Sequence, residues 1–265
     1  MLAHREALPE GEPLGDVLCV HGYPETSYMW RHVLPACAAA GWRAFAPDLP
    51  GFGDSPVAPP HTWQWAVEAI EAFRTDLGLA PVVLVAHDWG GLIGLRWACD
   101  HPEAVRALVI SDTGFFADGR WHGLAKEMQT EGKGEQLMAN MSREGLAGLL
   151  RGVSRGMDDA AIDEYWKSFA TPERRQGHLE LYRSGDFSEL APYMGPPPRL
   201  AALGVPALVL WGEDDAFAPL AGAKRFAQQI PGARLEVVPG TGHFVYADAP
   251  DETPAAITRF LGELS

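Results

Sequence analysis

Cysteine is scarce in this chain: Cys19, Cys37 and Cys99 are all it has among 265 residues, far apart and with no CxxC pair. A disulfide framework or a cysteine-built zinc site is therefore excluded as the organising element, and a reducing cytoplasm is the expected setting. Positive charge is also thin, with 21 Lys and Arg against 35 Asp and Glu and a formal charge of −14. Such a field attracts no polyanion, so neither nucleic acid nor an anionic membrane is expected as a partner. No apolar run approaches the roughly 18 residues of a membrane-spanning helix. The opening stretch MLAHREALPEGEPLGD lacks a basic segment followed by an apolar one, so no secretory leader is expected. There is no GxxxxGK[ST] or GxGxxG run, hence no cue for ATP or NAD. The histidines His4, His32, His61, His101 and His178 lack metal-ligand spacing. The chain is expected to need neither cofactor nor metal.

What is present is an ordinary globular balance, 47% hydrophobic and 21% charged, enough to build a core. Short continuous apolar runs occur at Val17–Val20, Arg43–Ala46, Val82–Ala86, Ala107–Ile110, Ala207–Trp211 and Leu235–Val238. Runs without alternation are the mark of parallel strands covered on both faces. Helical stretches lie between them, at Thr26–Ala40, Trp63–Leu77, Leu92–Asp100, Leu220–Gln229 and Thr253–Leu264. Strand–helix alternation predicts a mostly parallel, doubly wound α/β sheet. From about Gly114 to Leu200 the alternation stops and the chain reads helical, ending in Gly195-Pro196-Pro197-Pro198. The expected layout is a core of residues 1–113 and 201–265 with a helical lid, 114–200, over the carboxyl ends of the strands.

The most informative stretch is Val82-Val83-Leu84-Val85-Ala86-His87-Asp88-Trp89-Gly90-Gly91. A buried strand runs through a turn with small flanking residues into a helix, the pattern of a nucleophile elbow. Asp88 holds the central position. A carboxylate there can attack carbon and form an ester, and a helix N-terminus favours its ionised form. An ordinary Asp N-cap fits the same turn. The context favours chemistry. His21-Gly22-Tyr23-Pro24 follows the first apolar run, where the N–H groups of Tyr23 and Trp89 would converge on developing negative charge. His243, in Gly240-Thr241-Gly242-His243, follows the last run and is a candidate general base. Trp211-Gly212-Glu213-Asp214-Asp215 ends another run with acids able to orient an imidazole.

These pieces together resemble the α/β-hydrolase family, in the branch that contains epoxide hydrolases and haloalkane dehalogenases. The resemblance rests on HGYPETSYMWR, PDLPGFGDSP, VAHDWGG, WGEDDAFAP and PGTGHFVYADAPDE, which span most of the chain outside residues 114–200. It implies Asp88 as nucleophile, His243 as base and Asp215 as triad acid, with Asp214 the alternative. Family members usually carry a longer β-rich lead-in, so an edge strand is expected to be short or missing here.

Two leaving groups fit this chemistry. An epoxide oxygen needs an acid, and Tyr182, in His178-Leu179-Glu180-Leu181-Tyr182-Arg183, resembles a ring-opening tyrosine of the lid, with Tyr165 or His122 as a second donor. A halide needs N–H donors, and Trp89 with Trp121 or Trp166 would supply them. Epoxide hydrolysis to a vicinal diol is the favoured expectation, and haloalkane dehalogenation the alternative. A catalytically silent small-molecule receptor on the same fold is a third. The expected partners are a small apolar electrophile and water, with the chain a monomer or homodimer. Gly152-Val153-Ser154-Arg155-Gly156 satisfies GxSxG but follows no strand, so Ser154 is set aside as a nucleophile.

Overall fold

The structure, a computed structural model, describes residues 1–79 and 81–264. Its centre is a seven-stranded sheet. The strands are β1 (His4–Ala7), β2 (Asp16–Val20), β3 (Arg43–Pro47), β4 (Val82–His87), β5 (Val105–Ser111), β6 (Ala207–Gly212) and β7 (Arg234–Val238). They lie in the order β1-β3-β2-β4-β5-β6-β7, parallel throughout except for β1, which pairs antiparallel with β3. Every apolar run singled out in the sequence is a strand. Those of β2, β4 and β6 are buried along their whole length, as both-face coverage requires. The lead-in supplies only the four-residue edge strand β1.

β3 lies on one side of β2 and β4 on the other, so right-handed crossovers send the connecting helices to opposite faces. Helices Trp63–Asp76 and Trp89–Asp100 pack together on one face, and Val33–Ala39 packs against Glu252–Gly262 on the other. The strand order reverses beside β4. Ligands of open α/β sheets bind at the carboxyl end of such a reversal, which is where Asp88 stands.

The helix expected over Thr26–Ala40 is interrupted. A 3-10 turn covers Ser27–Trp30, and the α-helix begins only at Val33. Pro35 explains the break: it lacks an N–H and fits only the first turn of a helix. The helix expected from Leu92 instead starts at Trp89, directly after Asp88.

Between β5 and β6 no strand occurs among the described residues. The chain forms helices Gly123–Gln129, Lys133–Asn140, Arg143–Val153, Asp159–Trp166 and Pro172–Ser184, with 3-10 segments Lys167–Phe169 and Phe187–Tyr193. Side-chain caps start several of them. Ser142 accepts from Gly145 N–H at 3.0 Å, and Asp158 from Ala161 N–H at 2.7 Å. No helix among the described residues is long and apolar enough to cross a membrane. The three cysteines are buried and unbonded.

Candidate active site

β4 passes into the helix Trp89–Asp100 through a single residue. Asp88 makes the reversal at φ +50° and ψ −121°, a conformation that costs a residue with a side chain on the order of 1–3 kcal/mol. Its carbonyl accepts from Gly91 N–H at 2.9 Å and from the Thr113 hydroxyl at 2.6 Å, which holds the turn. Gly90 must be glycine, because a Cβ there would lie 2.2 Å from the Val20 carbonyl oxygen. The strain lifts the Asp88 side chain above the sheet, 22% exposed.

The loops after β2, β6 and β7 close around it. Asp88 Oδ1 accepts the Tyr23 N–H at 2.7 Å. Oδ2 stands 3.4 Å from His243 Nε2. His243 Nδ1 is 2.8 Å from Asp215 Oδ2, and Asp215 Oδ1 accepts the N–H groups of Phe217 and Ala218 at 2.7 and 2.9 Å. Those bonds fix the Asp215 carboxylate, which in turn fixes the imidazole. Asp215 is buried, whereas Asp214 is exposed and its N–H is spent on the Thr241 carbonyl. Of the N–H groups expected to converge at this point, that of Tyr23 is on the carboxylate; that of Trp89 makes no bond to it.

Electrostatics follow from the geometry. Burial alone would raise the Asp88 carboxyl, but His243, His87 and the Tyr23 N–H outweigh it and hold the group at about 2. Burial disfavours protonated His243, but Asp215 and Asp88 on either side raise it well above its ordinary value. The free site therefore rests as an imidazolium between two carboxylates.

Above Asp88 lies an apolar cavity of about 120 Å³, walled by the helical insertion through Met128, Met138, Leu146, Leu150 and Phe169, and by Phe217. Tyr23, Tyr182 and His122 also line it. Tyr182 meets Tyr23 edge-on at 5.0 Å between ring centroids and Trp89 at 5.1 Å. Burial and the Asp88 charge push its phenol upward, so it keeps its proton.

The remaining candidates stand elsewhere or are engaged by other groups, although Trp121 and His122 line a second cavity that also reaches Asp88. Tyr165 is buried away from this cavity, with its hydroxyl toward Glu25. Trp121 stacks on Trp89, but its indole N–H donates to the Gly185 carbonyl at 3.1 Å. Trp166 stacks on Phe169, outside the cavity lining. The Trp89 indole N–H is buried and makes no hydrogen bond of ordinary geometry, although it lies near enough to the Tyr182 hydroxyl to act on it. His122 caps its helix by accepting from Ala125 N–H at 3.4 Å. His21 shapes its turn: Nδ1–H donates to the Gly22 carbonyl at 2.8 Å, and Nε2 accepts from Leu49 N–H at 2.9 Å. Ser154 lies far along the insertion, at no elbow.

Sequence reasoning missed a buried polar row beside His243. Glu25 Oε2 lies 3.4 Å from His87 Nε2, and Asp112 Oδ2 lies 3.9 Å from His87 Nδ1. Burial raises Glu25 to about 8 and lowers His87 to about 3, so this row is largely uncharged. The available signal was acids in apolar or turn segments, at Glu25 and Asp112.

The chain as a whole is similar to known proteins. The family description "alpha/beta hydrolase fold" matches residues 16–250. A haloalkane dehalogenase of Psychrobacter cryohalolentis is 28% identical, covering 96% of this chain and 86% of the relative. Epoxide hydrolase 2 of Caenorhabditis elegans is 30% identical, covering 96% and 76%. Among solved structures, a putative ancestral haloalkane dehalogenase superposes with a TM-score of 0.85 at 27% identity, covering 99% of this chain and 96% of that one. The strained aspartate after β4, the histidine after β7 and these matches together place the chain in the α/β-hydrolase fold family, in the branch of epoxide hydrolases and haloalkane dehalogenases.

Proposed function

We propose that the protein is a hydrolase acting through a covalent alkyl-enzyme ester, and that its substrate is a small apolar epoxide. Ionised Asp88 attacks a ring carbon through Oδ2, the C–O bond of the ring breaks, and the ester forms. The leaving oxygen takes the Tyr182 proton. Esterification removes the Asp88 charge, so His243 gives up its proton, which restores the Tyr182 phenol; the neutral imidazole, held by Asp215, then removes a proton from water as that water adds to the Asp88 carboxyl carbon. The Tyr23 N–H, already on Oδ1, stabilises the oxyanion of that step. On collapse the product oxygen takes the remaining hydroxyl proton of the tetrahedral centre and leaves as the diol, and Asp88 returns as a carboxylate beside the imidazolium. The insertion, residues 114–200, acts as the lid of the cavity, and residues 1–113 and 201–265 as its core.

One observation carries the epoxide reading. Of the tyrosines and tryptophans put forward as leaving-group donors, Tyr182 lines the cavity with Asp88, while Trp121 is engaged by a carbonyl and Trp166 stands outside. A second reading, dehalogenation, is favoured by the Trp89 N–H, which makes no hydrogen bond of ordinary geometry, and by the relatives named dehalogenases. A silent receptor would have no use for the Asp88–His243–Asp215 alignment.

The test is His243→Ala. Asp88 should still attack, and the ester should persist. Incubated with an aryl epoxide or a bromoalkane, the variant should gain one hydroxyalkyl or alkyl group by intact mass, mapped to Asp88. Turnover by the wild type with no adduct in the variant would overturn the mechanism.

A further inference from the structure

The GxSxG run has no part in the site above, yet its serine is buried. Ser154 is 6% exposed, between exposed Val153 and Arg155. Its hydroxyl donates to Asp248 Oδ1 at 2.6 Å. The same oxygen accepts the N–H of Arg155 at 2.8 Å and of Gly156 at 3.0 Å. Asp248 Oδ2 turns the other way and accepts the N–H of Gly242 at 3.3 Å, one residue before His243. The Arg155 guanidinium adds a bond to the Gly240 carbonyl. Gly156 presses on the Ala247 backbone so closely that a Cβ would sit 1.8 Å from that carbonyl oxygen. One carboxylate thus gathers donors from two segments far apart in sequence, and charge-assisted bonds of this kind are the strong ones. The first segment ends the helix Arg143–Val153, which gives Leu146, Leu149, Leu150 and Val153 to the cavity wall. The second carries the histidine.

We propose that Asp248 is a positioning residue for the water step, a clasp that keeps His243 in register with Asp88 while the Ser154–Gly156 turn is seated. Ester hydrolysis then depends on how the cavity-wall helix sits. The two steps differ in what they ask of His243. Alkylation needs only ionised Asp88 and a proton donor for the leaving oxygen. Hydrolysis needs His243 Nε2 within reach of a water over the Asp88 carboxyl carbon, and a displacement of about 1 Å at such a centre is worth about 100-fold. The inference rests on the ester mechanism proposed above.

The test compares Ser154→Ala, Ser154→Thr and Asp248→Asn. Acid-quenched single turnovers, read by intact mass, separate ester formation from ester decay. Hydrogen exchange is followed in peptides covering 150–157 and 240–244. Ser154→Ala touches no residue of the triad, yet it should slow ester decay about fivefold, the scale of one net hydrogen bond, and leave ester formation unchanged. Ser154→Thr, which keeps the hydroxyl, should restore decay. Asp248→Asn should slow decay further. Exchange in Ser154→Ala should rise in both peptides. If only 150–157 loosens, or if formation and decay fall in the same proportion, the clasp does not position His243. Should His243→Ala form no adduct, the ester reading fails, and the exchange measurement still decides whether the two segments are coupled.

Discussion

Replacing Tyr182 by Phe tests the epoxide assignment with little structural disturbance. The ring is held edge-on by Tyr23 and Trp89 at 5.0 and 5.1 Å between centroids, and it lines the cavity over Asp88. Phe keeps those contacts and removes only the hydroxyl. The fold should lose less than about 1 kcal/mol, and Tm should move by about 2–4 °C or less for a chain of this size. The chemical cost is larger. As the ring opens, a full negative charge appears on oxygen inside an apolar cavity. Losing one donor to such a charge costs about 2.7–4 kcal/mol, or roughly 10²–10³ in rate. Stopped-flow tryptophan fluorescence should follow the step, since Trp89 adjoins Asp88, with mass spectrometry of the ester as a check. A bromoalkane is the internal control. Bromide departs without a proton, so its alkylation rate should fall by no more than a few-fold. Epoxide alkylation within about threefold of wild type would refute Tyr182 as the acid, and an equal loss on both substrates would mean that packing, not proton donation, was removed.

Trp89→Phe gives the converse: it should slow alkylation by a bromoalkane by roughly 10-fold or more, and by an epoxide less, compared in the same stopped-flow assay. Asp215→Asn should leave alkylation of Asp88 intact but lower steady-state turnover by roughly 10²–10⁴-fold, because an Asn at 2.8 Å from Nδ1 favours the wrong tautomer; quenched-flow should show ester accumulating. The pH profile should split in the same way. Asp88 stays ionised until pH falls toward about 2, so alkylation persists in acid, whereas hydrolysis needs neutral His243, whose proton affinity Asp215 still raises once the Asp88 charge is lost in the ester. Lowering pH through the His243 titration should therefore build up ester, and raising it should discharge it; ester decay that is independent of pH on both sides of that titration would contradict this. Gly90→Ala forces a Cβ to 2.2 Å from the Val20 carbonyl oxygen and should cost about 3 kcal/mol or more, read as a lower thermal midpoint together with lost alkylation as Asp88 shifts.

Much of the fold was legible because parallel strands buried on both faces leave continuous apolar runs. β2 to β6 appear in the sequence this way, and β7, half-buried at the other edge of the sheet, shows through Leu235, Val237 and Val238. β1 did not, because His4–Ala7 is a half-exposed edge strand with no such run. The helix over Thr26–Ala40 was misjudged because composition favours a helix there while Pro35 permits one only from Val33. Asp88 and His243 were legible for a chemical reason. Small residues crowd a strained turn, and glycines surround a loop histidine, and both patterns survive as local sequence.

What sequence alone determined is the set of local constraints: which segments are strands, where the chain must turn, and which side chains stand at the strand ends. Tertiary structure decided everything that depends on distance between remote segments. Asp214 and Asp215 are neighbours with the same chemistry, and only the packing of the β6 loop against β7 turns Asp215 toward His243 and leaves Asp214 in solvent. The donor set was undecided for the same reason. Tyr165, Trp121, Trp166 and Tyr182 all sit in the insertion, and helix packing alone directs Tyr182 into the cavity, Trp121 onto a carbonyl and the others away. A hydrogen bond or a proton transfer is specified to a fraction of an ångström, whereas sequence periodicity fixes only which face of an element a residue occupies.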